Sequence, residues 1–173
     1  MPRLALAMGA FLLLIGGMEA VGAYAWRGLY VTSRPVLQPS AYLSMPVGST
    51  TLSASLWGNL EIARYDSRSA ISEGGGAHGL DFTELDPSLE LAVPLGDSVL
   101  TLGATWFFYP NREGLTRADN SAEVYAQLEL PLLLSPTFGI WRDVDEIAGT
   151  YLEFGLSHEF KLSEATALVL SGA

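Results

Sequence analysis

The chain has no cysteine, so neither a disulfide framework nor a thiolate metal site can form. Basic residues are scarce: nine Lys and Arg stand against nineteen Asp and Glu, for a net charge of -10. Binding to phosphate needs a cationic surface, so nucleic acid is excluded as a partner. Histidine is almost missing, with only His78 and His158. Ser157 precedes His158 directly, and neighbours on a strand face opposite sides, so the two cannot work as nucleophile and base. Gly74, Gly75 and Gly76 lack the lysine of a phosphate loop, and Asp143, Asp145 and Glu146 do not follow the spacing of a calcium loop. No enzyme chemistry, cofactor or metal site is expected from this set. Long apolar runs are absent too: Leu4 to Ile15 is shorter than the roughly 20 residues a helix needs to cross a bilayer.

What the chain does have is a two-residue alternation. In Ala122 to Leu130, Ala122, Val124, Ala126, Leu128 and Leu130 share one parity, and Glu123, Tyr125, Gln127 and Glu129 share the other. Side chains of a strand alternate between faces, so this segment is a strand with one apolar and one wet side. The same pattern predicts strands over 21–32, 35–45, 50–63, 82–93, 98–109, 137–142, 150–160 and from 166 to the end, nine in all. Pro39 removes a ladder donor and predicts an edge or a bulge within the second of these.

Arg3, the apolar run to Ile15, and then Gly16 and Gly17 have the order of a secretory signal, so residues 1–20 are expected to be a signal peptide and 21–173 the mature domain. The connectors alternate in length. Those near 64–81 and 110–120 are long, whereas those near 46–49, 95–97, 132–136 and 161–165 are short. Outer-membrane barrels combine tight periplasmic turns with longer outside loops. The expectation is therefore an all-β, antiparallel transmembrane β-barrel, an up-and-down meander in the bacterial outer membrane. Bacterial barrels have even strand counts and cannot leave an open edge in hydrocarbon, so nine strands imply a barrel truncated at its C-terminus or a sheet completed by another chain.

Tyr24, Trp26, Arg27 and Gly28, then Pro35, Gln38, Pro39 and Ser40, then Trp57, Gly58 and Asn59 resemble the opening strands of the TorF-type porin family of Gram-negative outer-membrane proteins. The likeness covers about the first third of the mature chain. It implies a porin-like barrel and brings no catalytic residues with it.

On this reading the wet parity lines a pore. The candidates are Arg27, Gln38, Tyr42, Asn59, Glu61, Glu84, Asp86, Glu90, Glu123, Tyr125, Gln127, Glu129, Glu153 and Glu159. Acidic linings favour cations, because a low-dielectric wall focuses the potential into the lumen. Trp26, Trp106 and Trp141 are expected at the membrane interface, and Trp57, on the polar parity, in the lumen. The expected function is passive diffusion of small hydrophilic solutes, with outer-membrane lipid as the other partner. Two alternatives share the alternation: a soluble exported β-sandwich or lipocalin-like binder, and a structural barrel that does not conduct.

Overall fold

The computed structural model describes residues 13–62, 79–110, 120–164 and 166–173, with Tyr30 described by its backbone alone. Eleven strands follow in chain order: β1 (Leu13–Val21), β2 (Tyr24–Trp26), β3 (Leu29–Thr32), β4 (Val36–Val47), β5 (Thr50–Glu61) and β6 (Asp81–Leu95). After them come β7 (Ser98–Phe107), β8 (Ser121–Glu129), β9 (Thr137–Asp143), β10 (Thr150–Lys161) and β11 (Ala167–Gly172). Nine of them, β1 and β4 to β11, form one antiparallel sheet in which each strand pairs with those before and after it. The fold is an all-β up-and-down meander, without a helix among the described residues, and β1 and β11 are its edges. β2 and β3 form a separate hairpin.

Turn chemistry closes the short ends. Gly48 (φ 65°) opens the two-residue link between Val47 and Thr50, and Gly96 (φ 66°) opens the one between Leu95 and Ser98. A positive φ at that position suits a tight hairpin, and glycine adopts it without a Cβ penalty.

Expected and observed strands differ most at the start. The segment 21–32 is not one strand of the sheet but the end of β1 followed by the β2–β3 hairpin. Arg27 (φ 48°) and Gly28 (φ 78°) both adopt left-handed backbone, which folds the segment back on itself. The sheet's first strand lies further upstream. Leu13–Ala20, counted with the signal segment from sequence, pairs residue by residue with β4, from Leu13 against Ser44 to Ala20 against Leu37. Its alternation is hard to see because Leu13, Ile15 and Gly17 put little polarity on the wet parity. Residues 1–12 lie outside the described residues, as do His78, Gly74, Gly75 and Gly76 and most of the two long loops.

Pro39 is not at an edge, since β4 runs between β1 and β5. The β4–β5 ladder skips Gln38 and Pro39 and resumes in the same register, as expected where proline offers no N–H. The bulge lies one strand away, where β6 departs from register opposite Asn59 and Leu60.

Register decides what each face carries. Leu14, Leu43, Ala54, Leu89, Ala104 and Val124 oppose one another in sequence across six strands. This apolar face stays open: Leu52, Leu56, Leu89, Leu102, Phe138, Ile140, Leu152 and Phe154 are all exposed. The polar face holds the buried residues. Among the described residues the buried hydrophobic side chains are Tyr24 and Val36, whereas Thr32, Gln38, Ser53, Asn59, Glu61, Glu84, Ser121, Glu123 and Asp143 are buried and polar.

The Arg27–Gly28 turn supplies a stability test. A branched side chain in left-handed backbone costs about 1–2 kcal/mol, so Gly28→Val should lower the unfolding free energy by about that much. Gly28→Asn should cost less, and urea titrations followed by circular dichroism would measure both.

Candidate functional site

The polar face becomes a site because the hairpin lies across it. Tyr24 meets Trp57 of β5 (ring centroids 5.4 Å apart), and Trp26 meets Phe107 of β7 edge-on at 6.0 Å. From the turn, Arg27 reaches β8, where Nη1 and Nη2 donate to Glu123 Oε1 and Oε2 at 2.6 and 2.7 Å. The guanidinium also lies 4.2 Å from the Trp26 ring centroid and 4.3 Å from that of Tyr151 in β10. Bidentate pairing and ring contacts are the two interactions that a planar guanidinium makes better than an ammonium.

Burial, then the charge of Glu84 and a hydrogen bond to it, push the Tyr24 phenol far above its ordinary range. Tyr24 therefore stays a neutral donor. Beside it, Gln38 Nε2 donates to Asn59 Oδ1 at 3.3 Å, and Asn59 Nδ2 donates to Thr83 Oγ1 at 2.9 Å. Asn59 is wholly buried, and these bonds satisfy an amide that would otherwise be costly to desolvate.

Further along the face the rings lie flat. Glu90, Gly103, Tyr125, Trp141 and Tyr151 occupy successive positions of one register row, from β6 to β10. A Cβ on Gly103 would collide with the Tyr125 ring, so the missing side chain lets that ring lie across β7 and its hydroxyl donate to Glu90 Oε1. Gly139 does the same for Trp141, whose six-membered ring fills the place of its Cβ. Tyr125, Trp141 and Tyr151 form a continuous ladder, with centroid separations of 5.9 and 5.7 Å.

At the β9–β10 end, Asp143 Oδ2 accepts from Ser121 Oγ at 2.6 Å, and Oδ1 accepts the amides of Asp145, Ile147 and Ala148, each at 3.1 Å. A buried carboxylate thus organises the loop whose acidic residues do not follow a calcium-loop spacing. Asp145 and Glu146 do remain exposed.

Register puts Gln38, Tyr42, Asn59, Glu61, Glu84, Asp86, Glu90, Glu123, Tyr125, Gln127, Glu129, Glu153 and Glu159 on this one face, and the hairpin adds Arg27. The structure joins Arg27 to Glu123, Gln38 to Asn59, Tyr125 to Glu90, and Tyr42 to Ser53. Glu129 and Glu159 stand exposed toward the short turns, away from the hairpin. Trp57 is on the polar face, as its parity requires. Trp26 and Trp141 are also there, in contact with Arg27 or the ring ladder, and not at an apolar rim; Trp106 alone of the three expected anchors lies on the exposed apolar face. Ser157 opposes Ser171 and His158 opposes Leu170, on opposite faces of β10.

The candidates named from sequence leave out Tyr151, Trp141, Tyr24 and Asp143. Parity on β9 and β10 could have found Trp141 and Tyr151, which alternate with Ile140 and Leu152. No protein-family model, curated protein or solved structure matches the chain.

Breaking one partner of the Arg27 pair strands the other charge. Hydrogen bonds to charged groups contribute about 1.5–3 kcal/mol, so Arg27→Met and Glu123→Gln should each destabilise on that scale. A double-mutant cycle by urea titration should give a coupling of at least about 1 kcal/mol, and additivity would show that the pair is not coupled.

Proposed function

We propose that the chain forms the wall of a porin-like outer-membrane β-barrel, along whose polar face small hydrophilic solutes diffuse with a preference for cations. One observation carries this reading: the exposed parity is the apolar one and the buried parity is the polar one. A buried Leu or Phe contributes about 1.5–3 kcal/mol. Leaving the whole apolar face in water would forgo on the order of 10 kcal/mol, as much as a domain's entire net stability. Hydrocarbon removes that deficit.

Strand length supports the same reading. β4, β5 and β10 have 12 residues and β7 has 10, against the roughly 9–11 that a tilted strand needs to cross a bilayer. Trp106 and Phe108 stand exposed where β7 meets a long loop, a suitable level for interfacial rings. The likeness of the Tyr24–Gly28 and Trp57–Asn59 segments to the TorF-type porins is a further support.

A second reading, a barrel that does not conduct, is favoured by the hairpin, because it occupies part of the face along which solutes would pass. Conductance separates the two.

Because the chain lacks cysteine, each introduced one is a unique label. In lipid vesicles a bimane dye on Leu102→Cys should be quenched by brominated acyl chains, and one on Gln127→Cys by aqueous iodide. The opposite pattern would sink the lipid-facing assignment. In planar bilayers under a salt gradient the reversal potential should show cation preference, and Glu153→Lys should reduce it; an anion-selective wild type would refute the acidic-wall argument.

A further inference from the structure

We propose that the polar face carries a saccharide-binding platform whose floor is the indole ring of Trp141, flanked by Gln127 and Glu153. The proposal rests on the pore reading only in requiring that water and solute reach this face.

A sugar ring has apolar C–H faces and a rim of hydroxyls. A site that selects it needs a flat aromatic surface and hydrogen-bonding groups beside that surface at the height of the rim. Trp141 meets the first need. Its six-membered ring lies where Gly139 would carry a Cβ, so the indole rests on the strand backbone and is only half-buried. A side chain at position 139 would drive the ring off the wall.

The second need is met by register. Gly139 pairs with Gln127 on β8 and with Glu153 on β10, so the position covered by the indole has an amide on one side and a carboxylate on the other. Tyr125 extends the aromatic surface by one strand, inclined 25° to Trp141, and the Tyr151 hydroxyl donates to Glu153 Oε2 at 3.3 Å. Carboxylates only accept, and an amide both donates and accepts. Hydroxyl-rich neutral solutes supply donors to the carboxylate and both kinds of partner to the amide.

The same residues argue against two other occupants. Phosphorylated or carboxylated solutes would meet Glu90, Glu123 and Glu153 on one face, where Arg27 is held by Glu123 and Lys161 lies at the far end of β10 toward the short turn. An organic cation would find the Trp26, Tyr151 and Glu123 arrangement filled from within by the Arg27 guanidinium, and choline tests whether it takes the Trp141 and Glu153 one. The same guanidinium lies over the Trp141 ring at 6.0 Å from its centroid, so a bound sugar takes the part of the indole that faces away from the hairpin.

The test is calorimetric titration of the folded 173-residue chain in detergent micelles with maltotetraose and with cellotetraose, using choline and glycerol as controls. At least one tetrasaccharide should bind saturably and the controls should not. Trp141→Leu should abolish the heat. Gln127→Ala, which leaves the ring in place, should weaken binding by about three- to tenfold, the range of one hydrogen bond. Circular dichroism shows whether each variant is folded, and if Trp141→Leu is not, Gln127→Ala decides alone. No saturable heat from either tetrasaccharide, binding of choline in their place, or sugar binding untouched by the decisive variant would overturn the platform. The pore reading stands or falls separately: a chain that conducts and faces bromolipid but ignores sugars loses only the platform, and one that binds sugars but avoids bromolipid loses only the pore.

Discussion

The ion pair between Arg27 and Glu123 joins residues 96 apart in sequence, and the placement of the hairpin depends on it. Arg27 holds left-handed backbone, an unfavourable choice for a long side chain, at the one point of a two-residue turn from which its guanidinium reaches β8. The geometry has a clear compensation: two charge-assisted hydrogen bonds and contact with two aromatic rings. Once the tip is held, Tyr24 falls on Trp57 and Trp26 on Phe107, so two residues of β2 and one of the turn connect β5, β7, β8 and β10. Segments far apart in sequence meet here, since Tyr24 touches Trp57 and Gln38 bonds Asn59.

The distribution of side chains turns the usual order of a water-soluble protein inside out. Ladder hydrogen bonds hold the strands, polar contacts fill one face, and the other has no covering layer among the described residues. A soluble binder made of this sheet would need a second apolar layer over the exposed face. A lipid environment needs none, which is why the pore reading requires fewer added parts. It also assigns a use to the glycines on the polar parity. Gly103 and Gly139 let large rings lie flat, so the wall can be aromatic without being thick.

Much of the fold was legible because the pleat has a fixed period. Eight of the nine sheet strands appear in the alternation with ends shifted by a residue or two, and parity alone put Glu90, Glu123, Tyr125, Gln127 and Glu153 on a common face. The failures have physical causes. β1 was hidden because both its faces are largely apolar, so its sequence reads equally as a targeting segment. The hairpin was hidden because Arg-Gly is not among the dipeptides that announce a two-residue turn, which are led by Asn-Gly and Asp-Gly. Asp143 looked like a loop tip because its partners are backbone amides that no side-chain pattern reveals.

The way the acidic residues are satisfied bears on the proposed selectivity. Glu84 accepts from a phenol, Glu90 from another, and Asp143 from a hydroxyl and three amides. These donors stabilise the carboxylates but carry no charge of their own, so they leave the negative potential of the face in place. Glu123 is different, because Arg27 cancels it. A face built only for solubility or packing could have balanced each acid with a lysine or arginine at little cost. Among the described contacts neutral donors meet Glu90 and Asp143, so a wall wet on this side and apolar on the other would hold a field that draws cations and leaves uncharged hydroxyl solutes unopposed.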